Sequence, residues 1–553
     1  MAARLPALLI LITVSVAATL MWGWAGRPVA LPDVPGGRLS CVSYSPFSED
    51  ELPSDPTAMV PRQRIADDLK LLSHYTNCVR TYSSMHGLAA VPELAAAQGM
   101  DVLLGIWIGN NHLDNALEID AALAAAEAHP KAIRAIIVGN EVLLRRELTA
   151  DQLMDTIRKV RARTTLPVTY ADVWEFWMRN PKVAELTDFV TVHILPFWED
   201  VPIAVERSQA HVSHILDEVR QVFPGRRILI GETGWPSAGR SREGAVPGAV
   251  NQARFVREFV VMARDKGMDY NLIEAFDQPW KRRNEGTVGG HWGIFDSLRT
   301  LKFPLTGPVS EFPSWPRYAA LGTGLAVAAV VWLSLAGARL AAWRWLAVAV
   351  LAQATSAVLV LQWRSVLAGG IGPLGLASGI GGLLLAIGGA GLLLALALGA
   401  RSCTAAHPAS APEVAGWLRA PRRATLAPAI LLGGLRLAAL FGAAAIAFKL
   451  ALDPRYLDFP IFAYGLPAAA WLLFGMTEQD DGGRRPEEGW LAIVILLSVP
   501  VGLWREGLNI EAVAWNAIAL ALAWPARRWG WRELRRLWAG RPGGVEACRP
   551  QQP

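Results

Sequence analysis

After Trp315 the chain carries one apolar run after another, each of roughly the length that crosses a bilayer, about 17 to 25 residues. They fall near Tyr318–Ala336, Trp345–Trp363, Leu376–Ala400, Leu426–Leu450, Phe459–Met476, Trp490–Trp504 and Ile510–Trp524. Seven such runs commit the second half of the chain to an all-α, multi-pass membrane domain, since lipid leaves no other way to satisfy the backbone here. The fourth run contains Arg436, which must face protein, water or an interface. The overall composition, 52% hydrophobic and 18% charged, averages over this half and a globular stretch from about Leu31 to Phe312.

A further apolar run, Leu5–Trp24, follows a short start with Arg4. It reads as a signal peptide or a retained anchor. It is longer than a usual signal core, and no clean small-x-small site follows it, which favours the anchor. Charge sets the orientation. If the N-terminus is inside, the inside loops carry Arg339 and Arg344, then Arg401, Arg419, Arg422 and Arg423, then Arg484 and Arg485. The tail adds Arg527, Arg528, Arg532, Arg535 and Arg536, while the outside loops carry little more than Arg364, Arg455 and Arg505. This asymmetry follows the positive-inside rule at every step. It places the globular region on the periplasmic side of a bacterial inner membrane and the tail, residues 526–553, in the cytoplasm. The net charge of +5 is therefore read as topology, with the lipid bilayer as partner and no nucleic acid.

Within the globular region, residues 31–314, short β-rich runs alternate with helical patterns. The runs are Leu39–Tyr44, Cys78–Tyr82, Val102–Ile106, Ala135–Val138, Val168–Tyr170, Phe189–His193, Ile228–Ile230 and Leu272–Phe276. Helical patterns include Arg64–His74, Leu117–Ala128, Ala150–Ala162 and Val250–Lys266. Several runs are apolar throughout, as buried parallel strands are. Eight strand–helix units in about 280 residues fit an α/β fold of the (β/α)8 (TIM) barrel type. A doubly wound sheet would need a nucleotide site, and no GxGxxG or Walker pattern opens a helix after a strand. Cys41 and Cys78 both fall on these strands. Buried free thiols are the expectation, with a disulfide as the alternative in an oxidising compartment. Cys403 and Cys548 belong to the membrane half and tail.

In such barrels chemistry sits at the C-terminal ends of the strands. The fourth strand ends in Gly139-Asn140-Glu141 and the seventh in Gly231-Glu232-Thr233-Gly234-Trp235-Pro236. A single Glu after an apolar strand is commonly a solvated loop residue. Two, at the mouths of strands four and seven, point to a working pair. Glycoside cleavage with retention needs such a pair about 5–5.5 Å apart, one to give a proton and one to bond the sugar. One carboxyl must then keep its proton near neutral pH, and a neighbouring negative charge raises it. His193 reads as a structural hydrogen-bonding residue. Tyr82, Trp107, Trp174, Trp198, Trp235, Trp280 and Trp292 cluster at the same strand ends. Their flat faces suit sugar rings, though barrel packing is the plainer alternative. No His/Cys/Asp cluster has metal spacing, and no cofactor is expected.

Several segments together resemble glycoside hydrolase family 17. They are Gly139-Asn140-Glu141, Gly231-Glu232-Thr233-Gly234-Trp235-Pro236-Ser237, Glu274-Ala275-Phe276-Asp277-Gln278-Pro279-Trp280-Lys281, Gly289-Gly290-His291-Trp292-Gly293-Ile294-Phe295 and Val79-Arg80-Thr81-Tyr82. They span most of residues 38–297. The resemblance implies a β-1,3-glucanase or glucanosyltransferase with Glu141 as acid/base, Glu232 as nucleophile and Asn140 on the sugar 2-hydroxyl. It points to Arg80, Tyr82, Trp198, Trp235, Asp277, Trp280 and Lys281 as substrate-binding residues. Two departures stand out. Gln278 replaces an acid that many members carry, and Leu195 stands where plant members often have Tyr.

The layout of anchor, barrel and helical domain resembles bacterial membrane proteins that make or branch β-(1,3;1,6)-glucans, the rhizobial cyclic β-glucan branching type among them. That layout implies transfer of a β-1,3-glucan fragment, with a 1,6 bond as the new linkage and a membrane glucan synthase as a partner. No aspartate-rich motif followed by Gln-x-x-Arg-Trp appears, so a synthase within this chain is not expected. Plain hydrolysis of β-1,3-glucan is the alternative. A non-catalytic export or binding component is a third.

Overall fold

The structure, a computed structural model, describes residues 5–399, 407–420, 427–477, 485–507 and 509–539. Ala400, Arg401, Cys403, Arg422, Arg423, Leu426, Arg484 and Cys548 lie outside the described residues. The chain divides into two units, Gly26–Pro313 and Met1–Ala25 with Ser314–Pro553.

The first unit is a closed barrel of eight parallel strands in sequential order. They are β1 (Val42–Ser43), β2 (Cys78–Arg80), β3 (Asp101–Ile106), β4 (Ile133–Asn140), β5 (Val168–Val173), β6 (Val190–His193), β7 (Ile228–Thr233) and β8 (Asp269–Leu272). Closure comes from the Val42↔Leu272 pair between β1 and β8. Seven of the expected strands form in place, while the eighth, expected at Leu272–Phe276, overlaps the observed β8 only at Leu272. The first is shorter than expected, with Leu39 contributing only an isolated bridge to Thr76. The eighth starts earlier, at Asp269. Its Asp-Tyr-Asn-Leu sequence looks too polar for a strand, yet Tyr270, Asn271 and Leu272 are buried. Barrel closure overrides the weak local propensity.

Alternate residues of each strand point inward. Cys41, Cys78, Leu103, Ala135, Ile137, Ala171, Phe189 and Leu229 form a separate apolar cluster in that position. Farther along the same strands the set turns polar. Asn271 Nδ2 donates to Ser43 Oγ (2.8 Å) and to the Gly231 carbonyl (2.8 Å), and Thr169 and Thr191 hydroxyls meet at 2.9 Å. The barrel is thus greasy at one end and hydrogen-bonding toward the C-terminal ends. The surrounding helices bury one stripe each. Helix Ala150–Arg161 buries Leu153, Ile157 and Val160, and its start is closed by a Thr149–Gln152 capping box. The three buried side chains contribute about 1.5–3 kcal/mol each, against about 1 kcal/mol for the cap, so packing decides.

Cys41 and Cys78 are joined by a disulfide, which corrects the expectation of free thiols. Adjacent parallel strands bring the two α-carbons to 4.4 Å, within bonding range, and that neighbourhood is invisible without the strand register. The ends of this unit are also tied together. Val29 and Val309 pair as an antiparallel bridge. The buried Arg257 guanidinium donates to the carbonyls of Leu31 (2.9 Å), Pro32 (2.6 Å), Pro304 (3.3 Å) and Gly307 (2.6 Å), and to Asp33.

In the second unit six helices among the described residues are long and apolar enough to cross a membrane: Leu5–Ala25, Trp315–Leu335, Ala342–Gly369, Gly372–Leu398, Pro428–Leu452 and Pro486–Glu506. The other two expected spans fall on a shorter helix, Ile461–Thr477, and on Ile510–Ala539, whose second half is basic. An additional short helix, Ala411–Arg419, has a Ser410–Glu413 capping box. Arg436 is 3% exposed and donates to Glu488 Oε1 at 3.0 Å, beside the rings of Trp471 and Trp529. It therefore faces protein, as its cost in an apolar helix requires. The N-terminal helix buries Ala7, Leu11 and Ser15, the first two in a cluster with Ala326, Val330, Trp345 and Val348.

The Cys41–Cys78 bond closes a loop 37 residues apart in sequence and restricts the unfolded chain by about 3–4 kcal/mol. Replacing both by Ala is expected to lower the melting temperature of the barrel by about 5–15 °C. Differential scanning fluorimetry of the two purified proteins measures it.

Candidate active site

The strand-end sequences bend the chain so that both carboxyls face the barrel mouth. Gly139 has φ +86°, and a Cβ there would lie 2.6 Å from Val142 Cγ2. Glu141 itself has φ +54°, a left-handed conformation that costs a non-glycine residue on the order of 1 kcal/mol. The strain is held by the Glu141 N–H bond to the Ala171 carbonyl (2.8 Å) and by a register irregularity between β4 and β5. Glu232 lies within β7 and is 5% exposed.

The two acids meet around one histidine. Oxygens of Glu141 and Glu232 and a ring nitrogen of His193 all lie within 4.8 Å of one another. His193 Nδ1 is 2.9 Å from Glu141 Oε1, and its Nε2 is 3.7 Å from Glu232 Oε1. Three such donors could hold a cation. However, the Arg80 guanidinium donates to Glu232 Oε1 at 3.1 Å and already fills that space with positive charge. The set is arranged for protons rather than for a metal. Arg80 also donates to the Gly231 carbonyl (2.7 Å) and to Asn140 Oδ1. It is 1% exposed, so it braces β2, β4 and β7 from below rather than reaching a ligand.

Burial pushes the Glu141 carboxyl up, but the hydrogen bond and charge of His193, then Arg145 and Arg80, outweigh it and hold the group below the usual range. A second acidic group was not foreseen as part of the site. Glu274, after β8, is fully buried and accepts Lys281 Nζ at both oxygens, 3.0 and 2.9 Å. Desolvation pushes it up to about 7 despite Lys281. Glu285 is raised by burial as well, with the charges of Glu141 and Glu232 adding to the shift. Asp172, beside Tyr170 on β5, is pushed by burial to about 6. Glu274 lies inside a segment quoted for the resemblance, but nothing in its spacing marks it as buried.

The expected substrate contacts divide into two groups. Tyr82, Trp198, Trp280 and Lys281 are half-buried at strand ends. Tyr82 donates to Ser43 Oγ (3.0 Å), Trp280 Nε1 donates to Gln278 Oε1 (2.8 Å), and Trp198 stacks on Trp292 at 6.2 Å. Trp235 is a correction. It is 0% exposed, wedged between Phe197 and Phe255, with Nε1 on the Val246 carbonyl (3.0 Å), so no ring face is open. Trp292 is likewise core at 3%. Asp277 is buried and spent on Lys302 (2.7 Å), the Gly293 N–H (2.9 Å) and His291, tying together segments that all follow β8.

A (β/α)8 barrel with two carboxyls meeting at the ends of β4 and β7 is the architecture of a glycoside hydrolase. Residues 41–293 match the BtgE/BtgC glycoside hydrolase domain. Similar proteins include a glucan 1,3-beta-glucosidase of Schizosaccharomyces pombe, 31% identical over 257 residues that are 43% of this chain and 79% of that one. A glucan 1,3-beta-glucosidase of Saccharomyces cerevisiae is 28% identical over 261 residues, 43% of this chain and 83% of that one. Among solved structures, a glycoside hydrolase family 17 beta-1,3-glucanosyltransferase from Rhizomucor miehei is 26% identical, covering 48% of this chain and 97% of that one, with a TM-score of 0.43. The chain belongs to the glycoside hydrolase family 17-like β-1,3-glucanases.

The raised Glu274 gives a pH signature. It holds its proton to higher pH in the fold than in the unfolded chain. Its contribution to stability is thus present below about pH 4.5 and lost as pH rises through about 7. Between those limits the parent is expected to lose on the order of 2–3 kcal/mol more stability than Glu274→Gln, read from melting curves of both proteins across the range.

Proposed function

We propose that this chain is a membrane-anchored, retaining enzyme that opens β-1,3-glucan and passes the released fragment to a second glucan. The observation that carries the reading is the pair of carboxylate oxygens within 4.8 Å at the ends of β4 and β7. In the first step a Glu232 oxygen bonds the anomeric carbon while the glycosidic C–O bond breaks and Glu141 gives its proton to the leaving oxygen. In the second, an acceptor hydroxyl attacks the anomeric carbon, its proton passes to Glu141, and Glu232 departs as carboxylate. Arg80 donates to Glu232 Oε1 and holds that oxygen in place for attack. Asn140 has its oxygen on Arg80, which leaves its amide N–H groups for the sugar 2-hydroxyl. Tyr82, Trp198 and Trp280 supply aromatic faces for glucose rings, and Lys281 a cation beside them.

The helices support anchoring in a bilayer, and the arginines near their ends support a periplasmic barrel with a cytoplasmic C-terminus. The disulfide fits an oxidising compartment. The N-terminal helix packs against two others, and Gln353 Nε2 lies 3.3 Å from Ser15 Oγ in their apolar interior. A helix so engaged is retained after export. Intact mass of the protein extracted from membranes is expected to include residues 1–25; a mature form lacking them overturns this.

Tethering keeps the barrel at high effective concentration near a glucan emerging from a membrane synthase. A 1,6 linkage, giving branches on a 1,3 backbone, is the product that the chain's layout suggests. Hydrolysis by the same residues is the second reading, favoured by the glucosidase names of the relatives. The full chain in detergent, incubated with β-1,3-gluco-oligosaccharides, separates the two. Products longer than the donor, with a new linkage seen by NMR, are expected; shorter chains alone overturn transfer. Glu232→Gln and Glu141→Gln are each expected to lower turnover by about 10³-fold or more, and full activity in either overturns the mechanism.

A further inference from the structure

His193 is the last residue of β6 and is 0% exposed, yet both ring nitrogens face the reacting acids. Nδ1 lies 2.9 Å from Glu141 Oε1. Nε2 lies 3.4 Å from Arg80 Nη1 and 3.7 Å from Glu232 Oε1. The ring packs against Gly231 of β7, which leaves it room. A Cβ at that position would meet Thr191 Cγ2 at 2.5 Å and His193 Cδ2 and Nε2 at 3.1 and 3.2 Å.

The tautomer follows from the neighbours. Arg80 is a permanent donor, so Nε2 facing it serves as the acceptor, and the ring proton belongs on Nδ1. That proton points at Glu141. A carboxylate accepting such a bond is favoured over the protonated acid. We infer that His193 is a positioning residue whose Nδ1–H, donated to Glu141, holds that group as the carboxylate that takes the acceptor's proton in the second half of the reaction. The inference rests on the roles proposed above for Glu141 and Glu232.

The balance is simple. In the first half-reaction Glu141 loses its proton to the leaving oxygen and becomes a carboxylate, which His193 then stabilises. In the second, the acceptor O–H proton returns to Glu141 and the Nδ1–H bond weakens. His193 keeps its own proton throughout. Other charged or titratable groups acting on Glu141 are Arg145 on the following loop, Arg80 from β2, Tyr170 and Asp172 from β5, Glu232 from β7 and Glu285 after β8. His193 itself meets Arg80, Glu141, Glu232 and the field of Asp172. Among the hydrogen bonds described, none of the others donates to the Glu141 carboxyl; the Arg145 backbone N–H goes to the Glu141 carbonyl (2.8 Å).

The test reads the alkaline limb of kcat/KM for a β-1,3-glucan oligosaccharide, which reports loss of the acid's proton. The full-length protein carries His193→Leu or His193→Asn. Leu removes the donor, so the limb is expected to move up by about one pH unit. The Asn amide N–H stands near the position of Nδ1 and does not titrate, so it is expected to restore the parent limb. If Leu fails to fold, His193→Met, a more adaptable apolar chain, takes its place. A limb that stays put in the apolar variant overturns the inference, as does one that moves equally in Asn. A purely structural role lowers the height of the profile without moving its limb. Glu141→Gln is run alongside. If it stays active, the proposed mechanism itself fails; if it is inactive while the limb is unmoved, only the role of His193 fails.

Discussion

The site depends on one buried cation. Arg80 ends the short strand β2, and its guanidinium binds a carbonyl of β7, the side chain that ends β4 and the carboxyl of Glu232. A charge at 1% exposure is tolerated only with its partners in place, and removing any of them leaves a cost of several kcal/mol. The clamp therefore fixes the distance between two strands that are three positions apart around the barrel. It also places positive charge beside Glu232, while His193 serves Glu141. Each acid has its own partner, and this difference in surroundings is what separates two identical side chains into two proposed roles.

Much of this was legible in the sequence because barrel chemistry is local in sequence. A strand, then a glycine, then a carboxylate can be read from a few residues, and both Glu141 and Glu232 were found that way. Arg80 and Tyr82 were also visible, as a pair at the end of β2, but the burial of Arg80 was not. A single strand does not reveal which of its neighbours closes over it. Trp235 shows the converse. It stands three residues from Glu232 and looks exposed by association, yet the chain turns it into the packing between Phe197 and Phe255. Cys41 and Cys78 became partners only through the pairing of β1 with β2. The eighth strand was misplaced because Asp269-Tyr270-Asn271-Leu272 has little strand character apart from the closed sheet.

The helical unit follows different rules. Its segments were readable from length and apolarity, since lipid permits few alternatives. Its polar contacts were not readable in the same way. Arg436 with Glu488 and Ser15 with Gln353 are pairs 52 and 338 residues apart, and each side chain alone signals only expense. Pairing turns that expense into a constraint on which helices pack together.

The Val29–Val309 bridge has a wider consequence. The segment entering the first unit and the segment leaving it meet in an isolated bridge and are locked by Arg257. In sequence the barrel unit, Gly26–Pro313, is an insertion between two segments of the helical unit, and its own two ends are paired with each other. An insertion of that form can be exchanged between proteins, or enlarged in its loops, without asking the surrounding helices to rearrange.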